Sequence, residues 1–232
     1  MNMKYGETEQ GWKPLFNLGG VSALMMVFII VAQMIVFISA PPPYEGGASA
    51  WFALFQNNKI IGLINFELLM IVYVFLSIPI TLSLYILLRR VGPSFTVLYV
   101  VLSLIGIMSF IVARPAFEML SLSNGYAAAT TGAERAIYLS AGETLLAVFH
   151  GTAFQVSYIL GSLGGLIISL IMLKTDIFSK TTAYFRIASS VFDFGLYVPS
   201  IGMYISIFSV LFLLIWDVLV ARRLFQLGRG SA

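Results

Sequence analysis

The chain has 232 residues, of which 59% are hydrophobic and only 10% are charged, and its formal net charge is +3. Soluble domains carry roughly a quarter charged residues, so a fold of this length cannot hide so much apolar surface from water. The absence of cysteine excludes disulfides, Fe–S clusters, thiolate metal sites and thiol catalysis. No dense basic patch occurs, so we expect no nucleic-acid partner. The composition predicts an integral membrane protein.

Six apolar runs predict transmembrane helices, because the hydrocarbon core of a bilayer is roughly 30 Å thick. The first run is too long for the apolar region of a cleaved signal peptide and leads directly into Pro41-Pro42-Pro43, so we expect it to be retained as an anchor. The fifth run is short and stops near Pro199. The predicted spans cover residues 18–39, 64–88, 95–113, 150–173, 183–198 and 201–220.

Two segments between these runs differ from simple turns. Residues 51–61 begin with Trp51 and Phe52, and aromatic residues are enriched at headgroup level, which predicts a short interfacial segment. Residues 114–149 form the longest break and contain turn signals at 123–125 and 130–132. We predict an outer loop with an amphipathic helix there. The half-apolar residues 134–149 fit either an interfacial helix or an extension of the fourth span.

The lysines and arginines fall unevenly between the two sides of the predicted topology, and such residues are enriched on the cytoplasmic side. Three of them, Lys59, Arg114 and Arg135, lie on one side. The other side holds ten: Lys4, Lys13, Arg89, Arg90, Lys174, Lys180, Arg186, Arg222, Arg223 and Arg229. This split predicts a single all-α integral membrane domain over residues 1–232, a six-transmembrane-helix bundle in a cell membrane with both termini in the cytoplasm.

Asp193 is the most informative ionisable residue within a predicted span. It lies about ten residues into the fifth span, which at about 1.5 Å rise per residue puts it near the membrane midplane. Ionisable side chains at that depth are costly and often functional. Asp193 is therefore either a proton or cation ligand or an aspartate that is protonated or paired with a neighbouring helix.

Several further polar residues lie near the predicted outer ends of the spans. Glu67 can pair with Arg114, although Arg114 and Glu118 are also spaced for a local i, i+4 ion pair. Glu143 and His150 lie seven residues apart and share a helix face. His150 is the single histidine of the chain, so it is either a titrating or metal-binding group or an ordinary hydrogen-bonding residue.

Together these residues suggest a polar pocket that is open to the outer side. Hydrated helix ends would produce a similar outward cluster by default, so both interpretations stay open. We predict no metal site and no cofactor. The candidate pocket residues are Glu67, Arg114, Glu118, Glu143, His150 and Asp193.

Other polar residues in the spans have structural interpretations. Asp217 precedes Arg222 and Arg223 near the end of the sixth span, which predicts a salt bridge across that turn. Gln33 and Gln155 are expected to form interhelical hydrogen bonds.

Small residues recur every four positions along the fourth span, at Ser157, Gly161, Gly165 and Ser169. This spacing lets two helix backbones approach closely. The pattern fits an internal helix contact or a dimer interface.

Sequence motifs argue against an enzyme. The chain has no H-E-x-x-H, P-loop, G-x-G-x-x-G or G-x-S-x-G motif. We therefore expect a non-enzymatic protein.

The C-terminal half resembles a known family of small bacterial membrane proteins. The segment Lys174–Val191, the ending Val220–Gly228 and a fourth span with a histidine near its start and a glycine-rich middle are similar to the domain of unknown function 4386 family. The resemblance covers roughly residues 95–228. It implies about six helices and no established activity, so no catalytic residue is carried over.

Three classes of function follow from these observations. The first is a protein that binds a lipid or small amphiphile in an outward-facing polar pocket, with membrane lipids as its partners. The second is a small ion-coupled transporter that uses Asp193. The third is an accessory subunit that packs against a larger membrane complex or another copy of itself.

Overall fold

The computed structural model describes residues 10–230, apart from the side chains of Gln10 and Met203, so Lys4 lies outside the described residues. Within this range the chain is all-helical and contains no strand, as predicted. Ten α-helices occur there: α1 (Lys13–Ser39), α2 (Gly47–Asn57), α3 (Lys59–Asn65), α4 (Leu68–Leu88), α5 (Pro93–Val112), α6 (Ala116–Ala128), α7 (Gly132–Phe149), α8 (Thr152–Met172), α9 (Lys180–Phe194) and α10 (Gly202–Arg229).

Among the described residues, five stretches are long and apolar enough to cross a membrane. They correspond to the predicted first, second, third, fourth and sixth spans: Lys13–Ser39, Leu68–Leu88, Pro93–Ala128, Gly132–Met172 and Tyr204–Arg229. The predicted fifth span coincides with α9, which has only 15 residues. The sixth crossing, and the orientation that depends on an even number of crossings, therefore stay predictions.

The predicted outer loop at 114–149 consists mainly of two helices, α6 and α7. A capping box starts α7, because the Thr131 side chain accepts from the Glu134 N–H while the Glu134 carboxylate accepts from the Thr131 N–H, both at 3.2 Å. Each bond satisfies a backbone donor that the helix itself leaves unpaired. Residues 134–149 therefore form a helix of their own, which ends just before His150.

The chain divides into two compact units. Unit 1 comprises Met1–Phe28, Phe75–Ile107 and Tyr158–Ala232, and unit 2 comprises Ile29–Val74 and Met108–Ser157. Large apolar side chains remain exposed in both units, for example Phe28, Ile38 and Tyr204. Such exposure is unusual for a soluble protein but is expected for a surface that faces lipid.

An aromatic core holds unit 2 together. Trp51, Phe52 and Phe55 on α2 are each at most 1% exposed and pack with residues of α6 and α7. Phe66 links the cluster, with its ring centroid 4.9 Å from that of Trp51 and 4.6 Å from that of Phe149. The aromatic rings of residues 51–61 are thus packed into protein, and their position at headgroup level stays a prediction. Protein buries the apolar face of α2, and an apolar pattern cannot distinguish a protein interior from a lipid interface.

In unit 1, α9 packs against α10 and α8. Aromatic rings join the first pair, with the centroids of Phe192 and Phe212 5.2 Å apart. The hydroxyl of Ser179 caps α9 by accepting from the Thr182 N–H at 3.1 Å. This start places Arg186 two turns into the helix, where it faces α8 and α10.

Candidate functional site

Arg114 and Glu67 form an ion pair in unit 2. Arg114 Nε donates to Glu67 Oε2 over 2.7 Å, and the two side chains are 2% and 19% exposed, respectively. Arg114 follows the last residues of α5, and Glu67 lies in the turn between α3 and α4. Of the two partners that the sequence left open for Arg114, the structure selects Glu67. Glu118 is exposed on α6 and forms no ion pair with Arg114.

The backbone of Glu67 adopts a left-handed conformation, with φ at 62°. This region is uncommon for residues other than glycine, and such strain persists only where the surroundings impose it. The Glu67 N–H donates to the Ile64 carbonyl at 2.9 Å, and its own carbonyl accepts from the Met70 N–H at 3.0 Å. The turn therefore fixes the position from which the carboxylate reaches Arg114.

The guanidinium of Arg114 is only partly satisfied. Its Nη1 donates to the carbonyls of Ala113 and Phe149, at 3.2 and 3.0 Å. A guanidinium carries five N–H donors, of which two belong to Nη2. Nη2 donates to no acceptor within the described part of the chain, so two N–H groups remain for an additional acceptor.

Three aromatic rings surround this guanidinium. Its central carbon lies 4.3 Å from the ring centroids of Phe110 and Phe149 and 4.9 Å from that of Phe154. These distances are in the range of cation–π contacts. The rings also exclude water, which strengthens electrostatic interactions at the group.

Tyr44 and His150 lie beside each other near this pair, with ring centroids 6.1 Å apart. His150 is exposed and packs edge-on against Phe149 and Phe154. Tyr44 is 47% exposed. Partial burial and, secondarily, the negative charge of Glu67 raise the pKa of Tyr44 to about 12, against the opposing effect of Arg114. The phenol therefore stays protonated at neutral pH and can donate a hydrogen bond.

Glu143 has a different position from that of the Arg114–Glu67 pair. Its Oε1 accepts from the Ala48 N–H at 2.7 Å, so it caps the first turn of α2. A carboxylate is favoured there because the N-terminal end of a helix is electropositive. The structure gives Glu143 a stabilising contact and does not bring it into hydrogen-bonding contact with His150.

Three amide side chains in unit 2 have buried oxygens that accept from no donor among the described residues, those of Gln33, Asn65 and Gln155. Their nitrogens donate to the carbonyls of Ile64, Ala40 and His150, at 3.0, 2.7 and 3.3 Å, respectively. The Gln33 bond joins α1 to α3, which agrees with the predicted interhelical role, whereas Gln155 bonds the carbonyl just before its own helix. Asn65 is a polar residue within an apolar run two positions before Glu67, and its contact with Ala40 depends on the fold.

Asp193 belongs to unit 1, so only five of the six predicted pocket residues share a unit. Its Oδ1 accepts from the Tyr158 hydroxyl at 3.4 Å, and its Oδ2 accepts from Ser162 at 3.3 Å. Tyr158 also makes a short hydrogen bond to Ser206. These hydroxyls connect α9 to α8 and α10 and leave Asp193 half-buried.

The small residues of α8 have unequal surroundings. A Cβ on Gly165 would lie 2.4 Å from Ser190 Oγ and 2.6 Å from the central carbon of Arg186, so α9 approaches closely only because this residue is glycine. Gly161 has open space at the corresponding position, and its carbonyl accepts from Arg186 at 3.4 Å. The hydroxyls of Ser157 and Ser169 bond to carbonyls of their own helix.

The predicted salt bridge of Asp217 with Arg222 or Arg223 is wrong. Asp217 is fully buried, and neither of its oxygens has a partner in the described structure. Arg223 instead donates to the Ile177 carbonyl and to Gln226. Five or six residues along a helix place two side chains on different faces, whereas the required spacing is three or four.

Comparisons with known proteins identify a family. Residues 18–222 match the family described as a domain of unknown function, DUF4386. The comparisons with curated proteins and with solved structures gave no significant match. The matched range covers residues 95–222 of the resemblance at residues 95–228 and extends it to the first apolar helix, whereas residues 223–228 lie outside the match. Because these residues make up most of the chain, the protein belongs to the DUF4386 family.

Proposed function

We propose that this protein is a non-enzymatic membrane protein that binds the polar headgroup of a lipid or small amphiphile at the Arg114–Glu67 pair. The observation that carries this proposal is the guanidinium of Arg114, which three aromatic rings enclose and whose Nη2 donates to no described residue. A phosphate or carboxylate oxygen is the acceptor that a guanidinium binds best.

The second half of the pair favours a zwitterionic headgroup. Glu67 Oε2 accepts from Arg114, while its Oε1 accepts no hydrogen bond from the described residues. Oε1 can therefore bind an ammonium group while Nη2 binds a phosphate. The rings of Tyr44 and His150, at the exposed side of the pair, add surfaces that attract a cation.

An apolar tail also has a surface to occupy. Val112 and Phe117, on either side of Arg114 along the chain, are exposed apolar residues. A ligand that combines a charged headgroup with an acyl chain matches this arrangement better than a fully polar solute does.

The test is native mass spectrometry of the full chain released from nanodiscs of defined composition. We expect phosphatidylethanolamine to be retained in preference to phosphatidylglycerol, which lacks the ammonium group. Arg114→Lys keeps the charge next to Glu67 but loses the planar fork of N–H donors. It should weaken retention about tenfold, which corresponds to about 1.4 kcal/mol.

Arg135→Lys is the matched control, since Arg135 is an exposed arginine of unit 2 that stacks on Tyr126. It should retain lipid like the wild type. Equal retention by Arg114→Lys and the wild type, with both folded by circular dichroism, would contradict the proposal.

We also propose six crossings with both termini in the cytoplasm of a cell. A 3-10 turn at Gly195–Tyr197 directly follows α9. At about 1.5 Å per α-helical and about 2.0 Å per 3-10 residue, the combined segment is about 28 Å long, close to a hydrocarbon core. The uneven distribution of lysine and arginine supports the same topology. Reporter tags on the two ends should report the same compartment, and opposite compartments would contradict this topology.

A second candidate function is an ion-coupled carrier that uses Asp193. The specific observation in its favour is that hydroxyl groups from Tyr158 and Ser162 reach both oxygens of this half-buried carboxylate. A carboxylate in such surroundings can exchange a proton or a cation within a membrane protein.

A further inference from the structure

Unit 1 contains a buried carboxyl group, that of Asp217, and a nearby guanidinium, that of Arg186, which do not form an ion pair. Asp217 on α10 is 0% exposed, and both of its oxygens lack a partner among the described residues. Arg186 on α9 acts electrostatically on Asp217 but is not within ion-pair distance of it. An isolated ionised carboxylate is very costly in such an interior, so a neutral, protonated Asp217 is the form that these surroundings favour.

Weak contacts hold the guanidinium of Arg186. Its Nη1 donates to Ser189 at 3.3 Å and its Nη2 to the Gly161 carbonyl at 3.4 Å, both at the long end of the hydrogen-bond range. Its central carbon lies 5.2 Å from the ring centroid of Trp216. These contacts are easily exchanged for a stronger one, because an ion pair with a buried carboxylate is shorter and stronger than a bond to a neutral acceptor.

Other unsatisfied polar atoms lie around the same guanidinium. Ser190 Oγ and Trp216 Nε1 are buried without a partner in the described part of the chain, as are both Asp217 oxygens. Ser190 Oγ and the Arg186 guanidinium converge on one point, since both lie within 2.6 Å of the Cβ position of Gly165. Buried polar groups are normally paired, so this concentration of unpaired atoms around one guanidinium is unusual.

We infer that Asp217 and Arg186 form an internal proton-binding site. In the protonated state, Asp217 is a neutral carboxylic acid and Arg186 donates hydrogen bonds to the Gly161 carbonyl and to Ser189. Release transfers the proton from an Asp217 oxygen to water, giving a carboxylate and a hydronium ion. Arg186 then turns to the carboxylate and forms the ion pair. The site lies in unit 1 and does not depend on the headgroup site proposed for unit 2.

No other charged group replaces Arg186 in this role among the described residues. The elements packed against α10 also carry Lys180 and Asp193 on α9 and Lys13 on α1. The Lys180 ammonium donates to the Leu173 carbonyl and Asp193 accepts from hydroxyls of α8, whereas Arg186 lies beside Trp216, the neighbour of Asp217. The phenol of Tyr99 on α5 bonds to Thr81 at 3.3 Å. The Tyr158 phenol on α8 is bonded to Asp193 and Ser206.

Infrared spectroscopy of the full chain in nanodiscs tests this inference, because a protonated carboxylic acid has a carbonyl band that a carboxylate lacks. The wild type should show such a band at neutral pH, and the band should disappear as the pH rises. Asp217→Asn should remove it. Asp176→Asn, an equivalent change at a fully exposed carboxylate of unit 1, should leave it in place.

Arg186→Gln should raise the midpoint of this titration by about one pH unit or more, since removing a nearby positive charge favours the protonated acid. If that variant fails to fold, two measurements still test the site. The wild-type band should disappear as the pH rises, and Arg186→Lys, which retains the positive charge, should keep the wild-type midpoint. Absence of a protonated band at neutral pH would overturn the inference. A band that persists at every accessible pH would also overturn it, because Asp217 would then be a permanently neutral structural acid.

Discussion

Glu143 Oε1 accepts a hydrogen bond of 2.7 Å from the backbone N–H of Ala48, 95 residues earlier in the chain. This contact joins α7 to the first turn of α2, and a Cβ on the preceding Gly47, whose φ is +60°, would lie 2.6 Å from the same oxygen. The carboxylate, the helix start and the glycine are therefore adapted to one another, and their arrangement fixes α2 within the aromatic core of unit 2.

Removing this cap should destabilise the protein. Glu143→Ala leaves the Ala48 N–H without its charged acceptor, and a hydrogen bond to a charged group contributes about 1.5–3 kcal/mol. We expect a clearly lower melting temperature in detergent. Glu118→Ala is the control, since Glu118 is exposed on α6 and forms no ion pair with any described residue. A similar melting temperature for both variants would show that the cap contributes little.

Gly161 and Gly165 of α8 should respond oppositely to substitution by alanine. Gly165→Ala would bring a methyl group within 2.4 Å of Ser190 Oγ, so α9 must move and the protein should lose stability. Gly161→Ala meets open space and should gain up to about 1 kcal/mol, because alanine is the better helix former. Thermal unfolding of both variants in one detergent checks this contrast. Equal effects would mean that α8 and α9 do not pack closely at Gly165.

Removing one partner of the Arg114–Glu67 pair should lower the stability of the protein more than replacing both partners with uncharged residues. Glu67→Gln leaves the guanidinium buried without a counter-charge, which costs about 3–5 kcal/mol in buried pairs. Combining it with Arg114→Met removes the unpaired charge and should restore part of the lost stability. Thermal unfolding of the two single variants and the double variant measures the coupling. Simple additivity of the two losses would argue against direct coupling of these residues.

Tyr44 predicts a pH dependence of stability. Its pKa is about 12 in the folded protein and 10.0 without its surroundings. Below pH 10 the phenol is protonated in both the folded and unfolded states. Between pH 10 and 12 the unfolded chain releases the proton first, so the stability contributed by this residue is lost as the pH rises. Tyr44→Phe should flatten the fall in melting temperature over this interval. An unchanged pH profile would show that Tyr44 does not contribute to it.

Asp193→Asn tests the carrier hypothesis. If Asp193 exchanges a proton during transport, the variant should abolish proton uptake into proteoliposomes while its melting temperature stays close to that of the wild type. The control is Asp176→Asn, since the Asp176 side chain is fully exposed and paired only loosely with Lys180. Loss of folding in Asp193→Asn with no uptake by the wild type would identify Asp193 as a structural residue.

The hydropathy pattern and the family-specific segments of the sequence determined the fold class, most of the apolar helices and the family. An all-helical fold, five of the apolar helices and the family follow from the residues themselves, because a long apolar run satisfies its backbone in lipid only as a helix. The helix starts at Thr131 and Ser179 follow from equally local chemistry. These features depend on neighbouring residues along the chain, so the sequence carries them without reference to the fold.

The tertiary structure alone decided which polar groups meet. It selected Glu67 rather than Glu118 for Arg114 through an unusual turn at Glu67, and it buried Asp217 without giving it a partner from any other helix of the described structure. It also buried Trp51 in protein, and it placed Arg186, which the charge count assigned to a connecting segment, between α8 and α10. The physical reason is common to these cases. Lipid and protein interior are similarly apolar, so a hydrophobic pattern predicts a helix but cannot tell which of its faces will meet lipid and which will meet another helix.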